Sequence, residues 1–196
     1  MKHLFKKCLM PLRPVMKMML SVFFNRRYLS GRHFDADSFA GYVWGFRAIW
    51  QRNILRLGPP HQFPVGLSCT ISNATNLDFH PDDLNNFQSP GTYIQNFSGF
   101  ITFGRGCYIG PNVGIITANH DPVDPEFHLA GKNVVIGDKC WVGMNSVILP
   151  GVVLGPGTTV GAGSVVTRSF PDGNCIITGS PAQLLPHTNK TRQGAA

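Results

Sequence analysis

Hydrophobic positions recur every six residues through the second half of the chain. From Ile136 the sequence divides without a gap into the hexads IGDKCW, VGMNSV, ILPGVV, LGPGTT, VGAGSV and VTRSFP. Position one of every hexad is aliphatic, position two is glycine in four of them, and position five is usually small. An earlier block, FSGFIT, FGRGCY, IGPNVG and IITANH, repeats in its own register from Phe97. Such an internal repeat decides the fold class before any other signal.

A period of six fits neither an amphipathic helix, which needs 3.6 residues, nor a strand of simple alternation. It predicts a short strand followed by a corner, in which the aliphatic residue enters a narrow core. Glycine at position two is expected to permit turn conformations, and the small residue to avoid a clash at the corner. Three hexads close one triangular coil, and stacked coils form parallel ladders about 4.8 Å apart. The chain is therefore predicted to be mainly β, a parallel β-helix.

The ends of such a stack need caps, because each coil buries its apolar stripe only against its neighbours. We expect residues 1–60 to form a basic, helical N-terminal capping segment. Residues 61–96 are predicted to be an irregular lead-in, residues 97–185 the β-helix, and residues 186–196 a polar tail.

The repeat is interrupted once. Between Ile115 and Ile136 lie 21 positions, three more than a multiple of six, and the polar segment HDPVDPEFHLAGKN contains two prolines and a glycine. This composition predicts an excursion loop at residues 120–133. In repeat folds such loops commonly form the binding surface. His120 stands where the coil ends and the loop begins, a suitable place for a general base.

The net charge of +7 is concentrated at one end. Residues 1–60 contain eleven Lys and Arg against two acids, whereas the remaining chain has a net charge of −2. The main domain therefore lacks the basic stripe that nucleic-acid binding requires. A hydrophobic content of 43% with only 14% charged residues also excludes a disordered chain.

Two interpretations of residues 1–30 remain open: an amphipathic helix packed on the domain or a neighbouring subunit, or a helix lying on an anionic inner membrane surface. Its longest apolar run is too short to span a bilayer, and no signal-peptide cleavage site follows. The five cysteines are odd in number and include no C-x-x-C pair, which favours free thiols in a reducing compartment. We therefore expect a cytoplasmic protein, with peripheral association at the inner face of the membrane as the second option.

The pattern [LIV]-G-x-x-[STAV]-x, with the ending VVGAGSVVTRSFPDGNCIITGSPA, resembles the hexapeptide-repeat acyltransferases. Within them it is most similar to the sugar O-acetyltransferases of the maltose and nodulation type and to those of surface-polysaccharide synthesis. The resemblance covers about Phe97–Leu185. It implies a left-handed β-helix, a homotrimer with active sites between subunits, and acetyl-CoA as the acyl donor, without a metal.

The resemblance also implies roles for individual residues. His120, which ends the TANH motif, corresponds to the family's catalytic base, and Asn96 to an asparagine that lines the site and would face the oxyanion. Asp121 could orient the imidazole or simply start a turn. The family's cofactor contacts correspond to Gly143, Met144, Ala162, Thr167 and Arg168.

The predicted function is transfer of acetyl from acetyl-CoA to a hydroxyl of a sugar or glycan precursor. N-acetylation of an amino sugar, acetylation of a xenobiotic, and a non-catalytic trimeric scaffold are the alternatives. A zinc site of His80, His120 and His128, of the kind found in γ-class carbonic anhydrases, is opposed by the absence of a closely spaced histidine pair. His80 and His128 could instead contact the acceptor, which the sequence does not identify.

Overall fold

The computed structural model describes residues 10–36 and 38–186. Two helices come first: α1 (Arg13–Leu20) and α2 (Ala40–Ala48), which a π-helical turn, Ile49–Ile54, continues. Short strands then form three faces, numbered in chain order. Face 1 contains β1 (Thr70–Ile71), β3 (Tyr93–Gln95), β6 (Gly114–Ile116), β9 (Val147–Ile148) and β12 (Val165–Val166). Face 2 contains β2 (Leu77–Asp78), β4 (Ile101–Phe103), β7 (Val134–Ile136) and β10 (Val153–Leu154), and face 3 contains β5 (Tyr108–Ile109), β8 (Trp141–Val142), β11 (Thr159–Val160), β13 (Ile176–Gly179) and β14 (Ala182–Leu184).

The strands of each face pair in parallel, except that β13 and β14 close the stack as an antiparallel pair. Val142 pairs with Val160 and Ile148 with Val166, each eighteen residues further along the chain. Eighteen residues are three hexads, so each regular coil visits the three faces once. The predicted parallel β-helix is confirmed.

The core follows the hexads closely. The six position-one residues from Ile136 to Val166 are at most 1% exposed. The small position-five residues are buried too, and the hydroxyl-bearing ones bond to backbone at the corners: Ser146 Oγ donates to Gly161 O at 2.9 Å and Thr158 Oγ1 to Gly155 O at 2.7 Å. Position five therefore satisfies buried corner carbonyls as well as avoiding clashes.

The reason predicted for the position-two glycines is wrong. Positive φ, the turn conformation that favours glycine, falls on position four of the hexads: Gly106, Asn112, Lys139, Asn145, Gly151, Gly157 and Gly163. At position two the constraint is the next coil, because a Cβ on Gly137 would lie 2.7 Å from Pro156 N and one on Gly143 2.6 Å from Ala162 N. These glycines let one backbone stack closely on another.

The β-helix also begins earlier than predicted. The segment 61–96 was expected to be irregular, but β1 to β3 already pair with later strands of faces 1 and 2. Ile94 is buried and pairs with Ile115, whereas Phe97, expected to start the first block, is 44% exposed. The first coils are longer than eighteen residues, so their apolar positions lack the six-residue spacing that marks the later ones.

Side chains of the N-terminal segment pack against those of the first coil. The side chain of Leu20 in α1 packs against Gly45 of α2. Tyr28, Phe63, Phe79 and Phe87 continue this core, with ring centroids 4.5 to 5.2 Å apart. In the part of the chain that the structure describes, no helix is long and apolar enough to cross a membrane. Residues 1–9 and the predicted tail from residue 187 onward lie outside the described residues.

Arg52, on the π-helical turn, ties this cap to the first strand. Its side chain is buried and donates to the carbonyl oxygens of Val65, Gly66 and Cys69 at 3.2, 2.7 and 2.9 Å. Desolvation lowers the pKa of Arg52, and its charge acts on His61 nearby. Burial, assisted by Arg52, lowers the pKa of His61 to about 4.

Replacing Gly137 by alanine should lower the free energy of unfolding by about 2 kcal/mol, because the added methyl group overlaps the backbone of the next coil at Gly155 and Pro156. Gly114→Ala is the matched control, since its Cβ would lie 3.8 Å from Val147, an ordinary contact. Urea titration of both variants measures the difference. Equal stabilities would contradict the proposed role of position-two glycines.

His61 should make the fold acid-sensitive. A histidine whose pKa is lower in the folded state contributes stability above its unfolded pKa, near 6.5, and loses it as the pH falls towards 4. Between pH 7 and pH 5 the wild-type chain should lose about 1 kcal/mol more than His61→Gln, after allowance for solvent screening. Urea titrations at the two pH values measure this; identical pH dependence would refute it.

Candidate active site

The coil is interrupted at the corner between faces 1 and 2. In a regular coil, Leu154 on face 2 follows Ile148 on face 1 after six residues. At the interrupted corner, Ile136 on face 2 follows Ile115 on face 1 after 21 residues, so the corner contains fifteen extra residues. The predicted excursion loop is therefore present at this corner. It leaves the coil slightly before residue 120, where Lys132 N donates to Thr117 O at 2.8 Å.

The loop is a folded hairpin. Leu129 N donates to Asn119 O and Asp121 N to Phe127 O, both at 2.8 Å, and His120 faces His128 across the two segments. The carboxylate of Asp121 accepts from Val123 N at 2.8 Å and so forms the turn. The geometry supports the interpretation that Asp121 starts a turn, rather than the interpretation that it orients the imidazole of His120.

His120 is held by a backbone carbonyl. The side chain is exposed, and its Nδ1 lies 2.6 Å from Pro125 O. Since a carbonyl oxygen can only accept, Nδ1 must carry the hydrogen, and Nε2 of the neutral ring is left with its lone pair. Within residues 10–36 and 38–186, Nε2 has no hydrogen-bond partner. The arrangement therefore presents an oriented imidazole whose Nε2 is open to solvent.

Two further rings support the imidazole. The ring centroid of His128 lies 4.1 Å from that of His120, and Phe97 meets His128 edge-on at 5.1 Å. Phe97, which the hexad pattern assigned to the core, thus forms part of the site wall. His80 stands apart: its Nδ1 accepts from Asp82 N at 3.2 Å at the start of the 3₁₀ segment Pro81–Gln88. Among the described residues, no group of three potential ligands could hold a metal ion.

Gln95 positions the chain that leads to His120, and the sequence did not single it out. Its buried side chain accepts from Thr117 N and Ala118 N at 3.0 and 3.1 Å and donates to Ala118 O at 3.1 Å. A polar residue directly after the core residue Ile94 fits ordinary strand alternation, so the sequence carries no signal that the Gln95 side chain is buried. The carbonyl of Pro125 has no signal either, because any residue supplies a carbonyl.

Asn96 does not occupy the role expected of it. The side chain is fully buried, its Oδ1 accepts from Asn73 N at 2.9 Å, and its Nδ2 donates to Asn73 O and Asn76 O at 2.6 and 3.1 Å. Both amide hydrogens are used, so none is free to face an oxyanion. Asn96 instead ties the first coil to the second.

A small cleft lies at the base of the hairpin. It has a volume of about 100 Å³ and is lined by Asn119, Leu129, Ala130, Lys132 and Pro150. Asn119 precedes His120 directly, and Pro150 belongs to the corresponding corner of the following coil. The cleft therefore lies between the hairpin that carries His120 and the regular coil.

The predicted cofactor residues lie at two corners. Gly143 and Met144 stack beneath Ala162 at the corner between faces 3 and 1, where Met144 O accepts from Gly163 N at 2.9 Å. Thr167 and Arg168 follow β12 at the corner between faces 1 and 2, two coils beyond the hairpin.

Arg168 is held at its corner by the C-terminal hairpin. It bonds Gln183 Oε1 at 2.9 Å and lies 5.1 Å over the Phe170 ring. One chain therefore brings Arg168 and His120 to the same corner and separates both from Met144 and Ala162 by the width of face 1.

Comparison with known proteins agrees with this architecture. Residues 133–168 match the family described as bacterial transferase hexapeptide (six repeats). A galactoside O-acetyltransferase of Lactococcus lactis is 40% identical over 93 residues, which cover 45% of this chain and 44% of that protein. A galactoside O-acetyltransferase of Escherichia coli is 34% identical over 102 residues, 50% of this chain and 48% of that protein.

A solved structure of a galactoside acetyltransferase in complex with coenzyme A has the same fold, with a TM-score of 0.52 and 20% identity over 91% of this chain and 83% of that one. The predicted left-handed β-helix and the resemblance to hexapeptide-repeat acyltransferases are confirmed. The chain nevertheless matches only about half the length of its curated relatives, between 42% and 64% for the first four.

Asn96→Ala should lower the free energy of unfolding by about 2 kcal/mol, because it leaves buried groups of Asn73 and Asn76 without partners. Asn119→Ala, at an exposed position, should change stability by less than about 0.5 kcal/mol. Thermal or urea unfolding compares the two variants. If both were equally stable, the structural role of Asn96 would be refuted.

Proposed function

We propose that the protein is an acetyl-CoA-dependent O-acetyltransferase that transfers acetyl to a hydroxyl of a sugar or glycan precursor. The observation that carries this proposal is the imidazole of His120, oriented by Pro125 O with Nε2 open to solvent at the lip of the hairpin. The galactoside O-acetyltransferases among its relatives support the acceptor class.

His120 acts as the general base. Its Nε2 takes the proton of the acceptor hydroxyl as that oxygen attacks the thioester carbonyl of acetyl-CoA. A C–O bond forms and the C–S bond breaks through a tetrahedral intermediate. The imidazolium then returns the proton to the departing thiolate, which leaves as CoA thiol. The Pro125 carbonyl stabilises the imidazolium while Nε2 carries the proton.

The surroundings of His120 suit a sugar acceptor. The rings of Phe97 and His128 supply an aromatic wall beside the base, on which the apolar face of a pyranose packs. Asn119 and Lys132, which line the cleft at the base of the hairpin, supply polar groups for neighbouring hydroxyls. Gln95 and Asn96 act as positioning residues that fix the coil beneath the base.

Acetyl-CoA lies along the stacked corner of Gly143, Met144 and Ala162, where the exposed backbone of successive coils pairs with its pantetheine arm. Arg168, with Thr167 beside it, binds the nucleotide phosphates as a delocalised cation. Within one chain, Gly143, Met144 and Ala162 lie at one edge of face 1, whereas Thr167, Arg168 and His120 lie at the other. We therefore propose that the groove forms between two copies of the chain in a homotrimer.

The test compares His120→Gln with the matched variant His128→Gln in an assay of CoA thiol release from acetyl-CoA, across a panel of sugars and amino sugars. His120→Gln should lower turnover by about 10²- to 10⁴-fold, because the acceptor proton has no base. His128→Gln changes only the wall and should lower it less than about tenfold. Mass spectrometry of the product identifies the acetylated atom.

Binding of CoA separates loss of chemistry from loss of the fold. CoA should raise the melting temperature of the wild type and of both variants, since it binds only the folded state. Full activity in His120→Gln would remove this residue as the base. An absence of any melting shift with CoA would overturn the acetyltransferase proposal itself.

A further inference from the structure

Helix α1 and the turn that continues it to Phe24 are apolar on two sides. One stripe faces inward, where Leu20 and Phe24 are buried and Met16 packs against the core. A second stripe, at the spacing i, i+3, i+4, i+7, points to solvent and is 51% to 77% exposed: Val15, Met18, Met19 and Val22. A surface helix of a soluble domain normally carries polar residues on its outer side. The outer stripe therefore indicates a surface that binds a partner.

The second helix of the cap repeats this feature. Along α2 and the π-helical turn, Val43, Trp50 and Ile54 are 56% to 59% exposed, and Leu55 and Leu57 follow directly. The two helices belong to one unit, because Leu20 of α1 packs against Gly45 of α2. We call the exposed apolar residues of Val15–Val22 and Val43–Leu57 the cap surface. Large apolar side chains exposed together on one unit indicate an interaction site.

The charges of the same region identify the chemistry of the occupant. The first sixty residues hold eleven Lys and Arg against two acids. Of those acids the structure describes Asp35, which is neutralised by Lys17 at 2.9 Å. Arg26, Arg47 and Arg56, which lie in or close to the same segments of the chain, are exposed. A second copy of this surface would bring like charges together, whereas an anionic surface complements them.

A groove beside α1 combines both features. It has a volume of about 370 Å³, with Pro14, Met18 and Leu29 as apolar walls. Arg26 supplies an exposed cation, whereas the charge of Lys17 is already paired with Asp35. Apolar walls beside a cation are the features that lipid binding requires. Trp50, on the other helix, has the amphipathic ring that favours the level of lipid headgroups.

We propose that the cap surface docks on an anionic phospholipid bilayer, with α1 lying in the interface plane and Trp50 at the headgroup level. The apolar stripes enter the acyl boundary and the surrounding Arg and Lys side chains pair with lipid phosphates. The proposal does not depend on acetyl transfer. It would hold the chain at a surface where lipid-linked acceptors are found.

The first test measures co-sedimentation of the full chain with vesicles of phosphatidylcholine containing about 30% phosphatidylglycerol, and with pure phosphatidylcholine vesicles. The chain should bind the anionic vesicles, lose binding as salt is raised, and bind the neutral ones at least about tenfold more weakly. Val22→Asp should weaken binding about tenfold. Val123→Asp is the matched control: the same substitution at a position 92% exposed in the hairpin should leave binding unchanged.

Tryptophan fluorescence supplies an independent readout. The chain has three tryptophans, of which Trp50 and Trp141 are almost equally exposed, at 56% and 57%. Anionic vesicles should shift the emission to shorter wavelength, and Trp50→Phe should abolish that shift. Trp141→Phe, on the β-helix, should retain it.

Three outcomes would overturn the proposal. The first is equal binding by Val22→Asp and Val123→Asp; the second is equal binding to neutral and anionic vesicles. The third is a change of oligomeric state in Val22→Asp, seen by sedimentation velocity, with no vesicle binding by the wild type. That third result would identify the cap surface as a contact between copies of the chain.

Discussion

The close stacking of one coil's backbone on the next is the constraint on which this structure depends. Each coil has almost no core of its own, so its aliphatic residues are buried only if the coils approach to strand-pairing distance. Glycine at position two makes that approach possible, as at Gly137 and Gly143, where any Cβ would overlap the following coil. Ser146 and Thr158 then satisfy corner carbonyls that water cannot reach.

A rigid stack gives a loop a firm base, and the candidate site uses this directly. The hairpin after Thr117 begins from a corner held by Gln95, and its own hydrogen bonds bring the Pro125 carbonyl to His120. The orientation of the imidazole is therefore a consequence of the backbone geometry of both the coil corner and the hairpin. Such preorganisation is what general base chemistry requires, because an imidazole fixed in one tautomer offers its lone pair in one direction.

The N-terminal helices cover the first coil, which has no preceding coil to stack on. The first coil must be covered, and α1 and α2 do so with one apolar side each, while Arg52 satisfies the carbonyls that no earlier strand can pair. Covering the coil requires only one apolar face. The second face of α1, with its surrounding positive charge, is unnecessary for folding and is therefore the basis for an interaction outside the chain.

The sequence by itself determined the regular coils, because every hexad places an aliphatic residue, a small residue and a turn residue at the same positions. It also located the break in the repeat that exposes His120. It did not reveal the first coils from Thr70, whose longer turns hide the period, nor the burial of Asn96. Only the tertiary structure decided which atoms surround His120. Pro125 supplies a backbone carbonyl, a group every residue has, and Gln95 and His128 reach the site by folding across 25 and 8 residues. A local repeat can be recognised from the types of its side chains. The orientation of a base depends instead on contacts between segments that are distant in sequence, and no local pattern predicts these contacts.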